Sequence, residues 1–435
     1  MRTVLIALSV AACAGLEQTW LSACLAQPPS REVRVARLIQ RLGSASYDER
    51  DRANAELAKV ARDSRVQLEQ AALSDDPEIR LRATQLLEQL KLNDLWAPTP
   101  LDCRFASVPA SQALDAISRQ SGNRIFLGQP YGTFKDGPVV LERAGVPFWE
   151  AMDTICGQTG NQLRQSYDLS NPGVLMVAGD PGKNPTVYSG PIRAQITRSS
   201  RHFEEHLDYG DLGSDIEHSF RMSMQFMWAD SFRLLACRAQ PQLLEARTDN
   251  GDRLTATQSP EFGWKSLQAG ARTFVIELPL HPPAASAQRL DVLKFKWGLI
   301  AVGEMTPIEI TDLNSPTPHF HDDLELVVES IERREDSRYE LVLIVNRDLI
   351  VPHPQDVLFH ENEVKLLDEE GRAFRKQGQT NALTDRGVRL QLIYAPPEGT
   401  AAAPKTLRFS YPRLRDCREL EFEFRDVPLP QARPE

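Results

Sequence analysis

Residues 101–125, LDCRFASVPASQALDAISRQSGNRI, and residues 139–163, VVLERAGVPFWEAMDTICGQTGNQL, are one pattern written twice at a spacing of thirty-eight. Ala106 falls on Ala144, Val108 on Val146 and Pro109 on Pro147. Ala113 falls on Ala151, Asp115 on Asp153, Ile117 on Ile155, Gln120 on Gln158, Gly122 on Gly160 and Asn123 on Asn161, without a gap. A duplicated unit of this size is one supersecondary element that packs against its twin. In each copy a short apolar run (101–105; 139–141) reads as a strand, and Val-Pro opens a helix, where proline loses no hydrogen bond and its φ is already set. Ala113, Leu114 and Ile117, like Ala151, Met152 and Ile155, recur at helical spacing and predict one buried face. Gly122 and Gly160 sit where a left-handed helix stop is needed. Residues 124–127 and 162–163 resume as strands, and residues 174–178 predict a closing strand. The expectation is a small α/β domain over 98–180 with its helices on one face of a sheet.

The repeated Val-Pro-x-x-x-Ala-x-Asp-x-Ile-x-x-Gln-x-Gly-Asn resembles the short N-terminal domain shared by secretins and TonB-dependent receptors, over under a fifth of the chain. The resemblance implies a periplasmic or cell-envelope setting and contacts with an envelope protein partner, for signalling or pore assembly. The chain departs from that family downstream, where nothing reads as a secretin pore or transmembrane barrel. Phe148-Trp149 opens the second helix where the first copy has Ala110-Ser111. Two aromatics on a duplicated scaffold mark either a partner surface, since Trp is enriched in interface hot spots, or core packing. Asp115 and Asp153, at matching helix positions, join Phe148 and Trp149 as candidate partner-contact residues.

The chain has 435 residues, enough for about three domains. A formal net charge of −10 argues against nucleic acid as a partner, which calls for a basic surface. Arg50, Arg52, Arg80 and Arg82 alternate with acids and read as a solvated helix face. Residues 1–26 read as an export signal: Arg2, an apolar stretch over 4–12, and small residues before Gln27-Pro28-Pro29. The tetrapeptides ending at Cys13 and Cys24 resemble lipoboxes, so a lipid anchor at either is the alternative to a cleaved soluble protein. No segment approaches the length of a transmembrane helix. Cys103, Cys156, Cys237 and Cys417 do not occupy repeated positions and are expected to be buried thiols rather than a disulfide framework.

Duplication continues on both sides. Residues 31–95 repeat at a spacing of thirty, with Leu38 on Leu68, Ser44 on Ser74, Arg50 on Arg80, Ala53 on Ala83 and Leu57 on Leu87. Asp75-Asp76-Pro77-Glu78 is a strong helix start. These pairs resemble HEAT-type helical repeats, which stack to present a binding face. After a Gly/Pro-rich link over 179–190 the signals are all β. At an offset of 114, Leu293 meets Leu407, Phe295 Phe409, Trp297 Tyr411, Ile308 Phe422 and Ile310 Phe424. Upstream, at about 120, the turn Asp249-Asn250-Gly251 meets Glu369-Glu370-Gly371. Two tandem immunoglobulin-like sandwiches, 191–313 and 324–430, are expected. The fold class is therefore multidomain: α, then α/β, then all-β.

Candidates for chemistry are few. His202-Phe203-Glu204-Glu205-His206 matches the H-x-x-E-H form of inverted zinc peptidases, in which a helix brings two His to one metal and Glu205 acts as base. The segment is short and polar, and no downstream acid stands out as a third ligand, although Glu217 and His218 are available. His319-Phe320-His321-Asp322-Asp323 has the residue types for a divalent ion at the joint between the sandwiches. No nucleophile elbow, phosphate loop, dinucleotide fingerprint or Cys-x-x-Cys is present, so no cofactor is expected. The expectation is a non-enzymatic exported envelope protein that makes protein contacts through its α/β and helical modules. The alternatives are a glycan- or peptide-binding sandwich protein and, remotely, a zinc hydrolase using His202, Glu205 and His206.

Overall fold

The computed structural model describes residues 30–128, 132–165, 173–181, 184–207, 214–257, 263–267, 271–303, 305–321, 324–347, 364–385, 387–398, 401–412 and 415–430. The expected export signal, with Cys13 and Cys24, lies outside these residues. The chain divides into two units, Met1–Asn93 and Asp94–Glu435.

The first unit is helical, as the spacing of thirty predicts. It holds α1 (Arg31–Leu42), α2 (Tyr47–Val60), α3 (Arg65–Ala71) and most of α4 (Pro77–Leu95). Leu38, Leu42, Leu57, Leu68 and Leu86 form its core. The repeated serine and arginine make the same latch twice. Arg50 Nη1 donates to the Ser44 carbonyl at 2.8 Å, and Arg80 Nη1 to that of Ser74 at 2.5 Å. Asp76 caps α4 by accepting the backbone N–H groups of Glu78 and Ile79. The arginines are not simply a solvated face. Arg50 and Arg82 are half-buried and both reach Glu78, at 3.0 and 2.7 Å, and the hydrogen bond from Arg82 holds the Glu78 carboxyl below its ordinary range.

In the second unit the duplicated α/β module comes first. Its elements are β1 (Pro100–Pro109), α5 (Ala110–Ser121), β2 (Ile125–Leu127), β3 (Pro138–Pro147), α6 (Phe148–Thr159), β4 (Asn161–Gln165) and β5 (Val174–Ala178). Each copy is strand–helix–strand, as expected, but the sheet is not single. β1 pairs antiparallel with β3, and a separate sheet has the order β2–β5–β4. The first strands of the two copies pair with each other, so both sheets and both helices share one core around Leu101, Cys103, Ile117, Val146, Ile155 and Met176. The repeated residues do the same work twice. Gln120 clamps the backbone of Asp102 with its side-chain amide, and Gln158 clamps Val140, thirty-eight positions on. Gly122 and Gly160 end the helices at φ 70° and 67°, a conformation open to glycine without a Cβ penalty.

The remaining strands build two β-modules, each a pair of sheets around one core. The first contains β6 (Thr186–Ser189), β7 (Ile192–Leu207), β8 (Ser214–Trp228), β9 (Arg233–Arg238), β10 (Gln242–Thr248), β11 (Trp264–Ser266), β12 (Thr273–Leu280) and β13 (Arg289–Val302). One sheet runs β12–β8–β7–β6, and the other β10–β13–β9–β11. They meet at Phe226, whose ring lies 4.3 Å from that of Trp297 and 6.2 Å from that of Phe295. The second module contains β14 (Met305–Ile310), β15 (His319–His321), β16 (Leu324–Arg333), β17 (Tyr339–Arg347), β18 (Val364–Leu367), β19 (Arg375–Leu383), β20 (Gly387–Ala395) and β21 (Thr406–Pro412). Its sheets are β14–β21–β18 and β15–β16–β17–β20–β19.

The last strand, β22 (Arg415–Pro428), does not belong where the sequence boundary puts it. It pairs with β13 along that strand's length, and Phe422, Phe424 and Val427 enter the first module's core. Conversely Ile310, from β14, enters the second module's core. The expected tandem split at 313/324 is therefore replaced by an insertion: the second module sits between β13 and β22 of the first. The expected link over 179–190 also contributes a strand, β6. The turn duplication at about 120 is preserved bond for bond. Thr248 N–H donates to the Asp252 carbonyl as Asp368 N–H does to that of Arg372, and Leu254 donates to Ala246 as Phe374 does to Leu366.

Candidate interaction site on the duplicated module

The two equivalent helices have equivalent aspartates in opposite circumstances. On α6, Asp153 receives a bidentate guanidinium. Arg193 Nε lies 2.8 Å from Oδ2 and Nη2 lies 3.0 Å from Oδ1, a charge-assisted fork. Arg193 opens β7 and is 4 % exposed. Tyr188 on β6 donates its hydroxyl to the same carboxylate at 2.7 Å. Burial, then the neighbouring Asp153 charge, holds the Tyr188 phenol well above its ordinary value. Beside this pair, Trp149 Nε1 donates to the Pro191 carbonyl at 3.0 Å, and Phe148 meets Trp149 edge-on at 5.0 Å. The α6 face is thus docked on the start of the first β-module.

These contacts correct the reading of Phe148, Trp149 and Asp153 as a partner surface. Phe148 and Trp149 are buried, and Asp153 is occupied by Arg193. The reason is sequential proximity: β6 and β7 follow the α/β module directly and reach the α6 face first. On α5 the equivalent positions are Ala110, Ser111 and Asp115. Asp115 is exposed, together with Gln112 and Arg119, and has no ion-pair partner among the described residues. Arg193 and Tyr188 were not legible as contact residues, because nothing in Gly190-Pro191-Ile192-Arg193 distinguishes it from a polar strand start.

A cleft of about 200 Å³ adjoins the docked face, lined by Pro98, Pro147, Trp149, Tyr188, Pro191 and Phe232 among others. A larger groove of about 580 Å³ lies on the first β-module between β10 and β12, lined by Leu243, Leu244, Arg253, Leu278 and Pro279 among others.

The H-x-x-E-H segment is not helical. Residues 202–206 lie in β7, paired with β8 so that His202 faces Ser219 and His206 faces Asp215. Four residues of extended chain separate the two His backbones by about 13 Å, whereas a helix would bring them within reach of one ion. Side chains from Phe203 to His206 lie outside the described residues. The exposed His202 ring makes a 3.1 Å contact with Ser200. His319 and His321 lie on β15, an outer strand, with the His321 ring 5.6 Å from that of Tyr411; Asp322 and Asp323 lie outside the described residues. No metal-holding cluster of three His, Cys, Asp or Glu occurs among the described residues.

Cys103, Cys156, Cys237 and Cys417 are all free thiols. Burial pushes Cys156 and Cys237 up to about 12, while Cys417 is exposed. No helix among the described residues is long and apolar enough to cross a membrane. No family model matches the chain, and neither a curated protein nor a solved structure matches it.

Proposed function

We propose that this chain is an exported, non-enzymatic envelope protein that mediates assembly, and that its α/β module is the adaptor. The carrying observation is the asymmetry between the duplicated helices. One Asp-bearing face is used inside the molecule to hold a β-module through Arg193; its twin, carrying Asp115 on α5, stays exposed. The resemblance to the secretin and TonB-receptor N-terminal domain supports the same reading. The α5 face fits a partner that presents a guanidinium or ammonium group, as Arg193 does to α6. The test is a pull-down from a cross-linked envelope fraction with the mature protein and its Asp115→Arg variant. A partner that is lost with Asp115→Arg, while native-state hydrogen exchange of α5 is unchanged, supports the reading. Recovery of the same proteins by both variants contradicts it.

One observation favours a second reading, a peptide-binding β-module. The groove beside β10 is bordered by outer strands of both sheets, and Leu244 is exposed within it. Leu244→Glu should then abolish capture of an extended peptide while Asp115→Arg leaves it intact.

A further inference from the structure

The two β-modules are duplicates whose last strands are exchanged. β13 runs on into β14 and β21 into β22, and these two runs pair antiparallel. Arg289 faces Pro428, Val302 faces Arg415, Met305 faces Pro412 and Ile310 faces Leu407, with no register shift within either strand pairing. Under the sequence offset of 114, Phe295 corresponds to Phe409 and Ile308 to Phe422. Phe295 faces Phe422 in the first module, and Phe409 faces Ile308 in the second. Leu293 with Phe424 and Leu407 with Ile310 repeat the relation. So do the outward ion pairs, Lys294 with Glu423 and Arg408 with Glu309. Each module is completed by the other's last strand, in the register its own would take.

Backbone register and outward charges are therefore alike in the exchanged and tandem arrangements. The exchange gives the first module Phe422 and Phe424 where its own last strand would supply Ile308 and Ile310, and the connections favour the exchange as well. To pair with its own last strand in this register, β13 would have to turn back at Ala301-Val302, and β21 at Arg415-Asp416. The favoured two-residue hairpin turns need positive φ at the first central residue or at both, which Gly, Asn and Asp supply. Ala301, Val302 and Arg415 are not of these types, and only Asp416 is. A β-branched residue such as Val302 resists that conformation. Pairing instead with the neighbouring module's last strand needs no turn at either pair of residues.

We infer that the flank of β13 is a strand-accepting site. Its ligand is an extended peptide with aromatic residues at alternate positions, the Phe422-Glu423-Phe424 pattern, whether or not that peptide is continuous with β21. The site extends along β22. Asp416 accepts the Trp96 indole N–H at 3.0 Å, and Arg418 lies over the Trp96 ring. Phe422 stacks on Phe295 at 5.5 Å and meets Phe226 at 5.3 Å. At the far end the backbone N–H of Leu429 donates to the Gln288 carbonyl at 2.8 Å.

The test uses the full chain with a protease site placed between Pro412 and Arg415. After cutting, the C-terminal fragment should co-elute with the rest on gel filtration, and a labelled peptide of residues 415–430 should replace it. The same peptide carrying Phe422→Ala and Phe424→Ala should enter at least about 100-fold less well, since each truncation removes a buried ring. Departure of the fragment from a chain that keeps its near-UV circular dichroism overturns the proposal, as does equal entry of both peptides. A second measurement needs no cutting. Lys294→Cys with Glu423→Cys should form a disulfide, because directly opposed strand residues are within disulfide range, and Lys294→Cys with Glu309→Cys should not. The reverse result means that the modules are closed in tandem and the site is filled by β14.

Discussion

Replacing Asp153 by Asn tests the docked α6 face against its built-in control, Asp115→Asn. Asn keeps the shape of Asp153 but removes the charge and turns an amide donor toward a guanidinium that can only donate. Arg193 is 4 % exposed, and its nearest other polar contact is the Met227 thioether at 4.0 Å, a weak acceptor. Breaking a buried ion pair from one side costs about 3–5 kcal/mol. The Asp153 side chain keeps 24 % exposure, so solvent relieves part of this and the lower end, about 3 kcal/mol, is expected. The second unit contains several cores, so a global melt is the wrong readout. Native-state hydrogen exchange of α6 and the start of β7 reports the local opening directly. Protection there should fall about 100-fold in Asp153→Asn, since every 1.4 kcal/mol is a factor of about ten. Asp115→Asn should change α5 by less than about 0.5 kcal/mol, as surface substitutions do. The paired apolar replacement Asp153→Leu with Arg193→Met should recover most of the loss, because it leaves no buried charge. Equal effects at Asp153 and Asp115, or no effect at Asp153, would refute the reasoning.

Three further outcomes are expected. Ser107 and Gly145 occupy equivalent bulges at φ 63° and 71°; a left-handed serine costs about 1–2 kcal/mol, part of which glycine's extra chain entropy offsets. Ser107→Gly should therefore stabilise the module by about 0.5 kcal/mol and Gly145→Ser destabilise it by about 1 kcal/mol in chemical denaturation. Iodoacetamide at pH 8 should label Cys417 in the native protein and reach Cys103, Cys156 and Cys237 only on unfolding, as peptide mass mapping would show. Burial of Asp368 is outweighed by hydrogen bonds from the Arg372 side chain and backbone, which hold its carboxyl below the ordinary value. That contribution is present at neutral pH and is lost as pH falls from about 4 through the folded value. Exchange of the Asp368–Arg372 turn should therefore rise in acid, and the rise should vanish in Asp368→Asn.

Much of this architecture was legible because duplication writes its constraints twice. Gln120/Gln158 and Gly122/Gly160 each recur for a local reason, a backbone clamp or a helix stop, and such reasons survive in sequence. The same holds for Arg50/Arg80 and for the turns at 248–252 and 368–372. What was not legible depends on which chemically equivalent partner is chosen. Ile308 and Phe422 both satisfy the apolar alternation opposite Phe295, so alternation marks β13 as a core strand and is silent on strand exchange. Similarly β1 pairs with β3, the twin's first strand, where pattern alone suggested one common sheet. At the candidate site, Asp115 and Asp153 occupy equivalent positions of the repeat, each two residues after a core Ala and two before a core Ile. They differ because Arg193 happens to follow close behind α6, a fact of tertiary placement. Phe148 and Trp149 were marked by their contrast with Ala110 and Ser111, but contrast alone could not separate an internal docking face from an external one. The H-x-x-E-H spacing, a remote alternative in the sequence, needs a helix for its chemistry, and the surrounding residues 192–207 pair as a strand with 214–228.

The central claim is that the α5 face, the unoccupied twin of the docked α6 face, is where a partner binds. The most direct measurement places a photo-cross-linking residue at Gln112, beside Asp115 on α5, and at Leu244 on β10 as a comparison, in cells making the full chain. The account predicts a covalent adduct to one envelope protein from position 112, abolished by Asp115→Arg and absent from position 244. Adducts from position 244 alone, or an adduct at 112 that survives Asp115→Arg, would contradict it.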